Sequence, residues 1–366
     1  MNGSGMLTRA FAGCASLLVV TAVARAQVAV SAPTNAPSQA VAATNGDPIT
    51  QWKVPFTGER NGRSRDPFVA PDGRIFFVDQ VANFLSAFDP KTATFTKFDI
   101  PSGTLPHTNI VTPDGIVWLA GNGNGTIVRF DPKTHMTKVI PIPLEGSTRP
   151  TDPHTMIYDG KGSIWFTSQN SQFVGVLHIA SEQVRTVRTS TAPERTNPYG
   201  IILDDKGHPW FDLLGTNKLG TINPGTMELK TYVLPDSARP RRIGRTSDGA
   251  IWYTDWAKCK VGRLDPATGK VDEYASPTGG NCGPYAMAVD DADRVWWTDT
   301  RVFPNRLIAI DGKTRKVVFN YEIPGGTSPN SVRHMVFDPK TRQIWYGADQ
   351  NFLGSVKVPP KPIMSP

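Results

Sequence analysis

The chain is short of cysteine, histidine, basic runs and long hydrophobic segments, and each shortage removes a class of function. Its 366 residues hold three cysteines and six histidines. No Cys-x-x-Cys-His signature and no paired-cysteine spacing occurs, which excludes attached haem and structural zinc modules. The formal charge is +7, falling to about +5 if Arg9 and Arg25 leave with a cleaved leader. Positive residues are scattered, and Arg239, Arg241, Arg242 and Arg245 form the one tight cluster. Without a basic stripe or a recognisable module, nucleic acid is not an expected partner. A small anionic molecule is. No apolar run is long enough to cross a bilayer.

Residues 1–26 read as a secretory signal peptide. Arg9 supplies the basic start, Ala15 to Val20 the apolar stretch, and Ala24-Arg25-Ala26 the small cleavage positions. Cys14 precedes the apolar run, so a lipoprotein anchor is not expected. The next stretch, 27–47, is rich in Ala, Pro, Ser and Thr and reads as a disordered linker. Export to the periplasm or the medium follows, as a monomer without a membrane span. Residues 361–366 form a short tail.

What is abundant is glycine, at 33 residues, and proline, at 32, which favours many short strands joined by tight turns. Phe76, Trp118, Trp165, Trp210, Trp252, Trp296 and Trp345 each sit in a β-type run such as Ile251-Trp252-Tyr253, at spacings of 42, 47, 45, 42, 44 and 49. Self-similarity at that period marks propeller blades. Asp-Gly turns (Asp72-Gly73, Asp114-Gly115, Asp248-Gly249) precede the aromatic strand. Asp-Pro turns such as Asp131-Pro132 follow the third strand. The last unit lacks a fourth strand, and Ile49 to Pro55 carries the missing pattern. The expectation is an all-β, seven-bladed propeller of four-stranded blades over 48–360, closed by that N-terminal strand.

Blade connections alternate between two faces, and the irregular loops lie opposite the Asp-Gly turns, where function is expected. Counting 11 residues back from each aromatic marker gives Arg65, His107, His154, Tyr199, Arg241, Tyr285 and His334. Proline precedes five of them. These side chains are expected to ring the channel mouth, either to bind a ligand or simply to plug the channel and bond neighbouring backbone. Asp79, Asp255, Asp299 and Asp349 lie just past the aromatic strands. Each can hold a divalent cation, or pair with a ring arginine. Cys259 and Cys282 fall on one face of adjacent blades and can form a disulfide in an exported protein.

Through units such as Asn197-Pro198-Tyr199-Gly200-Ile201, Gly249-Ala250-Ile251-Trp252-Tyr253-Thr254 and Val261-Gly262-Arg263-Leu264, the chain resembles the virginiamycin B lyase (streptogramin lyase) family across all seven repeats. The resemblance implies a carbon–oxygen lyase that opens a cyclic ester by elimination with magnesium, a basic histidine and nearby acids. His334 falls at the base position on strand one of the last blade, and Asp349 at an acid of the metal region. Val332 stands where the family has an acid two residues before the base, and Tyr285 where it has another histidine. On this reading His334 takes a proton α to a carbonyl, kept neutral by Arg333 and Arg241. Magnesium near Asp349, with His154 or His107, stabilises the enolate, and Tyr285 or Tyr199 protonates the leaving oxygen. Arg65, His107, His154, Tyr199, Arg241 and Arg333 hold the substrate. The alternative is a periplasmic propeller without catalysis that grips an anionic ligand or a partner's loop. A calcium-dependent lactonase fits least, since the ring has neither Glu nor Asn.

Overall fold

Strand-forming residues alternate with turn residues, and among the described residues there is no helix. A computed structural model describes residues 18–21, 27–56, 62–144, 149–191, 193–325 and 331–360. Most of the expected signal peptide (1–17 and 22–26) and the tail at 361–366 lie outside the described residues.

Seven antiparallel sheets follow one another. Blade one is built from Ser64–Val69, Ile75–Asp79, Phe84–Asp89 and Thr94–Asp99. Blades two to six repeat this order, their first strands being Pro106–Val111, Pro153–Tyr158, Pro198–Leu203, Pro240–Arg245 and Pro284–Val289. Blade seven takes Val332–Asp338, Gln343–Ala348 and Phe352–Lys357 from the C-terminal end, and Ile49–Lys53 pairs with the last of these. The ring is closed as the sequence pattern requires. First strands neighbour one another around the axis, blade seven against blade one.

Seven hydrophobic clusters hold the ring, one at each blade interface. The aromatic markers belong to them and are at most 4% exposed. Within a blade most markers also stack on an aromatic of strand four, as Trp296 does on Phe319 at 5.3 Å. Trp52 does the same for Trp345 at 5.7 Å, so the borrowed strand brings its own ring. Beside the markers, Phe166, Phe211, Tyr253 and Tyr346 lie flat on Gly175, Gly220, Gly262 and Gly354 of strand three. A Cβ at these glycines would come within 2.4 Å of the ring, so a close approach explains the residue type.

The segment 27–47 differs from the expected linker. Val28–Ala29, Thr34–Pro37 and Ala40–Ala42 run along the outer strands of blades two, one and seven. Leu18–Thr21 lies along that of blade three. Outer edges present unpaired N–H and C=O groups that any extended segment can satisfy. Composition alone does not reveal such pairing.

Candidate functional site

Every first strand carries a register irregularity just inside the axis, for example between Pro106 and Asn109 or between Pro240 and Ile243. It recurs in all seven blades. A bulge inserts one extra residue and re-aims the side chains around it. Two successive residues of each blade therefore contribute to the channel, in two layers.

The upper layer is Arg65, His107, His154, Tyr199, Arg241, Tyr285 and Arg333, which together line a mouth of about 210 Å³ with Gln80, Asn122 and Gln169. Arg65 Nη1 contacts His107 Nε2 at 3.0 Å. The His107 and His154 rings lie 3.5 Å apart, and His154 lies 4.0 Å from Tyr199. Tyr199 and Tyr285 share a short hydroxyl–hydroxyl hydrogen bond. Arg241 donates to the Tyr285 oxygen at 3.1 Å and Arg333 at 3.5 Å. Arg241 is held over the faces of Tyr285 (3.9 Å) and Trp256 (4.2 Å).

The central pair of the lower layer, Asp66 and Arg242, was not expected at the channel from the sequence. Asp66, fully buried, faces Arg242 at 3.4 Å. Asp66 also accepts from Thr108 at 2.6 Å. Arg242 donates to Thr155 and to the Arg333 carbonyl. Asp66 takes φ 44°, a left-handed conformation that Asp tolerates better than most residues. The pair spans the channel and floors the mouth.

His334 is not in the upper ring. The pairing is Val332 with Ala348 and Val336 with Trp345, where blade two pairs Pro106 with Gly121 and Ile110 with Trp118. One extra residue in the turn after Asp338 shifts the count, so Arg333 takes the ring position. His334 falls in the lower layer and lines a second space of about 550 Å³. The four acids also separate, independently of that turn, because Ala348 holds the place in blade seven that an acid holds in blades one, five and six. Asp79, Asp255 and Asp299 end their second strands and accept loop donors such as Val81 and Ala82, Arg239 and Ala257, Ser276 and Thr278. Asp349 stands one step further and takes both Arg333 Nε and Nη2, at 2.6 to 3.0 Å.

The electrostatics follow from burial among cations. Burial holds His107 and His154 well below the usual histidine range. His154 and Arg65 push His107 further down, and Arg242 and Arg65 do so for His154. Both are neutral near pH 7. Burial works to raise the Tyr285 phenol, but Arg241, Arg333 and Arg242 outweigh it and bring it down to about 7. Its partner Tyr199 is raised by burial and by Tyr285, so it keeps its proton. Burial also lowers His334, to about 4, with Arg242 adding to the effect and Asp66 opposing it. The neutral imidazole expected there is present, and Arg242 is the cation that supports it. Burial raises Asp66 as well, but Arg242, His334 and Thr108 outweigh it and keep the carboxylate ionised.

Magnesium does not fit these residues. Both oxygens of Asp349 already face the Arg333 guanidinium, and a cation there would meet three arginines in the ring. Among the described residues no group of three or more His, Cys, Asp or Glu is placed to hold a metal ion. Cys259 and Cys282 are joined in a disulfide with Cα atoms 5.3 Å apart.

Fold and channel together define a seven-bladed propeller with a cation-rich mouth. The virginiamycin B lyase family is matched by residues 183–358, from the outer strand of blade three to the end of blade seven, so the sequence resemblance stands. A streptogramin B lyase structure shares 22% identity over 84% of this chain and 96% of its own, with a TM-score of 0.73. A catalytically inactive virginiamycin B lyase from Staphylococcus aureus, solved with quinupristin, shares 19% over 85% and 100%, also at 0.73. Hydrazine synthase from Kuenenia stuttgartiensis shares 14% over 83% and 97%, at 0.67. These likenesses are of fold. No curated protein sequence matches the chain.

Proposed function

We propose that this chain is an exported propeller that captures a small anionic molecule at the channel mouth. One observation carries the reading. Among the described residues Arg65 and Arg241 have no carboxylate partner, and only Arg333 is matched, by Asp349. Three fixed guanidiniums against one carboxylate, with both histidines neutral, leave an excess of positive charge in a space of about 210 Å³. Guanidinium forks recognise carboxylate and phosphate groups. The aromatic faces under Arg241 hold its guanidinium in place before any ligand arrives. The disulfide supports export, since such bonds persist in oxidising compartments. A thermal-shift screen of citrate, succinate and inorganic phosphate tests the reading. Stabilisation by at least one of them, absent in Arg241→Gln, is the expected result, and no shift with any anion contradicts it.

A lyase-type reading is favoured by a different observation. A tyrosine whose phenol titrates near 7, set among arginines, can take a proton α to a carboxylate that those arginines bind. Tyr285 then acts as base, not as proton donor to the leaving oxygen. His334 lines the other compartment and serves no step at the mouth. The bond from the β carbon to its oxygen breaks as the double bond forms, and the leaving oxygen takes the proton that Tyr199 retains. Elimination would show as new absorbance from the conjugated double bond, lost in Tyr285→Phe.

A further inference from the structure

Below the Asp66–Arg242 floor the channel changes character. The space of about 550 Å³ there is bounded by the first strands of all seven blades, and most of its wall is apolar, including Ile110, Ile201, Met287 and Met335. Its volume lies within the range of about 300–1,000 Å³ usual for small-molecule sites.

The charged groups on its wall are already matched. Arg242 has Asp66, Thr155 and the Arg333 carbonyl as acceptors, and Arg245 is paired with Asp205. What is unmatched is neutral. His334 is a partly exposed wall residue; no described hydrogen bond engages its side chain, and its Nδ1 is enclosed without a partner. Asn109 gives its amide N–H to the Asp66 carbonyl, while its Oδ1, also buried, receives nothing. Enclosed atoms such as Asn109 Oδ1 cannot meet a ligand, so the exposed part of the His334 side chain is the unmatched polar group that this wall offers one.

We infer that this lower cavity is a second binding site, specific for a neutral molecule with an apolar body and a hydroxyl head that meets His334. A neutral imidazole offers one donor and one acceptor, and a hydroxyl complements it in either tautomer. A carboxylate would lose its hydration here with no free cation to replace it. The site stands apart from the anion mouth, and neither depends on the other.

Calorimetric titration with 1-octanol and with octanoate, on the protein in its disulfide-bonded form, tests this. Saturable octanol binding is expected, at least tenfold tighter than octanoate. His334→Leu should weaken octanol about tenfold, the loss of one hydrogen bond. Val289→Phe, a partly exposed wall position, should weaken it at least as much by filling space, and covers the case in which His334→Leu fails to fold. Absence of saturable octanol binding, equal binding of octanoate, or a folded His334→Leu that binds octanol as wild type would each overturn the inference.

Discussion

The two halves of one channel differ in what they leave unpaired. The mouth is lined by residues that carry charge or titrate, and two of its arginines lack a counter-charge among the described residues. The lower cavity is apolar, its charges matched and its unpaired groups neutral. The backbone is the same in both, seven first strands in a ring. What separates them is one bulge per blade and one buried ion pair. A repeat fold thus builds two chemistries by assigning successive residues of each strand to opposite sides of a floor.

Breaking the floor tests that division most severely. Asp66→Ala leaves the Arg242 guanidinium buried and uncompensated, which typically costs about 3–5 kcal/mol. Chemical denaturation should show that loss, with His334 and both mouth histidines perturbed in their NMR titrations. Arg241→Gln sharpens the comparison at the mouth alone. It should weaken anion binding by about tenfold or more, the value of a charge-assisted hydrogen bond, while octanol binding is unchanged. Asp212→Thr addresses the layer between. Burial raises this carboxyl well above its usual range despite Arg242, the Gly200 N–H and Arg241, so the fold opposes an ionisation that the unfolded chain permits and loses stability as pH rises. Blades three, five and six use Thr167, Thr254 and Thr298 at the same point, each bonding the carbonyl of the next blade. The substitution should raise stability near neutral pH by about 1 kcal/mol, read as a shift in denaturation midpoint.

The smallest effect expected is in pH. His107 and His154 are already neutral, and the Asp66–Arg242 pair is unchanged in this range. Tyr285 is the mouth group that titrates near 7, and its depressed value means it gains negative charge as pH rises. Affinity for an anion of fixed charge such as sulfate should therefore fall severalfold from pH 6 to pH 8, a dependence that Tyr285→Phe should abolish. Octanol binding should be flat over the same span.

The fold was legible because aromatic markers, Asp-Gly turns and Asp-Pro turns recur at blade spacing, and because Trp52 sits in a strand that completes blade seven. Six of the seven ring positions follow from the same count, since the turns between strands one and two have equal length. The count fails in blade seven, where the turn after Asp338 is one residue longer. That moves His334 into the lower layer and puts Arg333 in the ring; Asp349 lies one step past the acids it resembled for a separate reason, Ala348 standing at their position. The central pair of the lower layer was hidden. Asp66 and Arg242 look like ordinary surface charges in sequence, and only the bulge brings them to the axis. The outer-edge strands between Val28 and Ala42 were hidden for another reason, since edge pairing is indifferent to side-chain pattern.

The central claim is that the mouth is a preorganised anion site. Calorimetric titration of sulfate, whose charge is constant over this range, into wild type and Arg241→Gln, below and above the Tyr285 midpoint of about 7, tests it most directly. The account predicts saturable wild-type binding, tighter on the acid side and at least tenfold weaker in the variant. Binding that ignores both the substitution and the pH would contradict it.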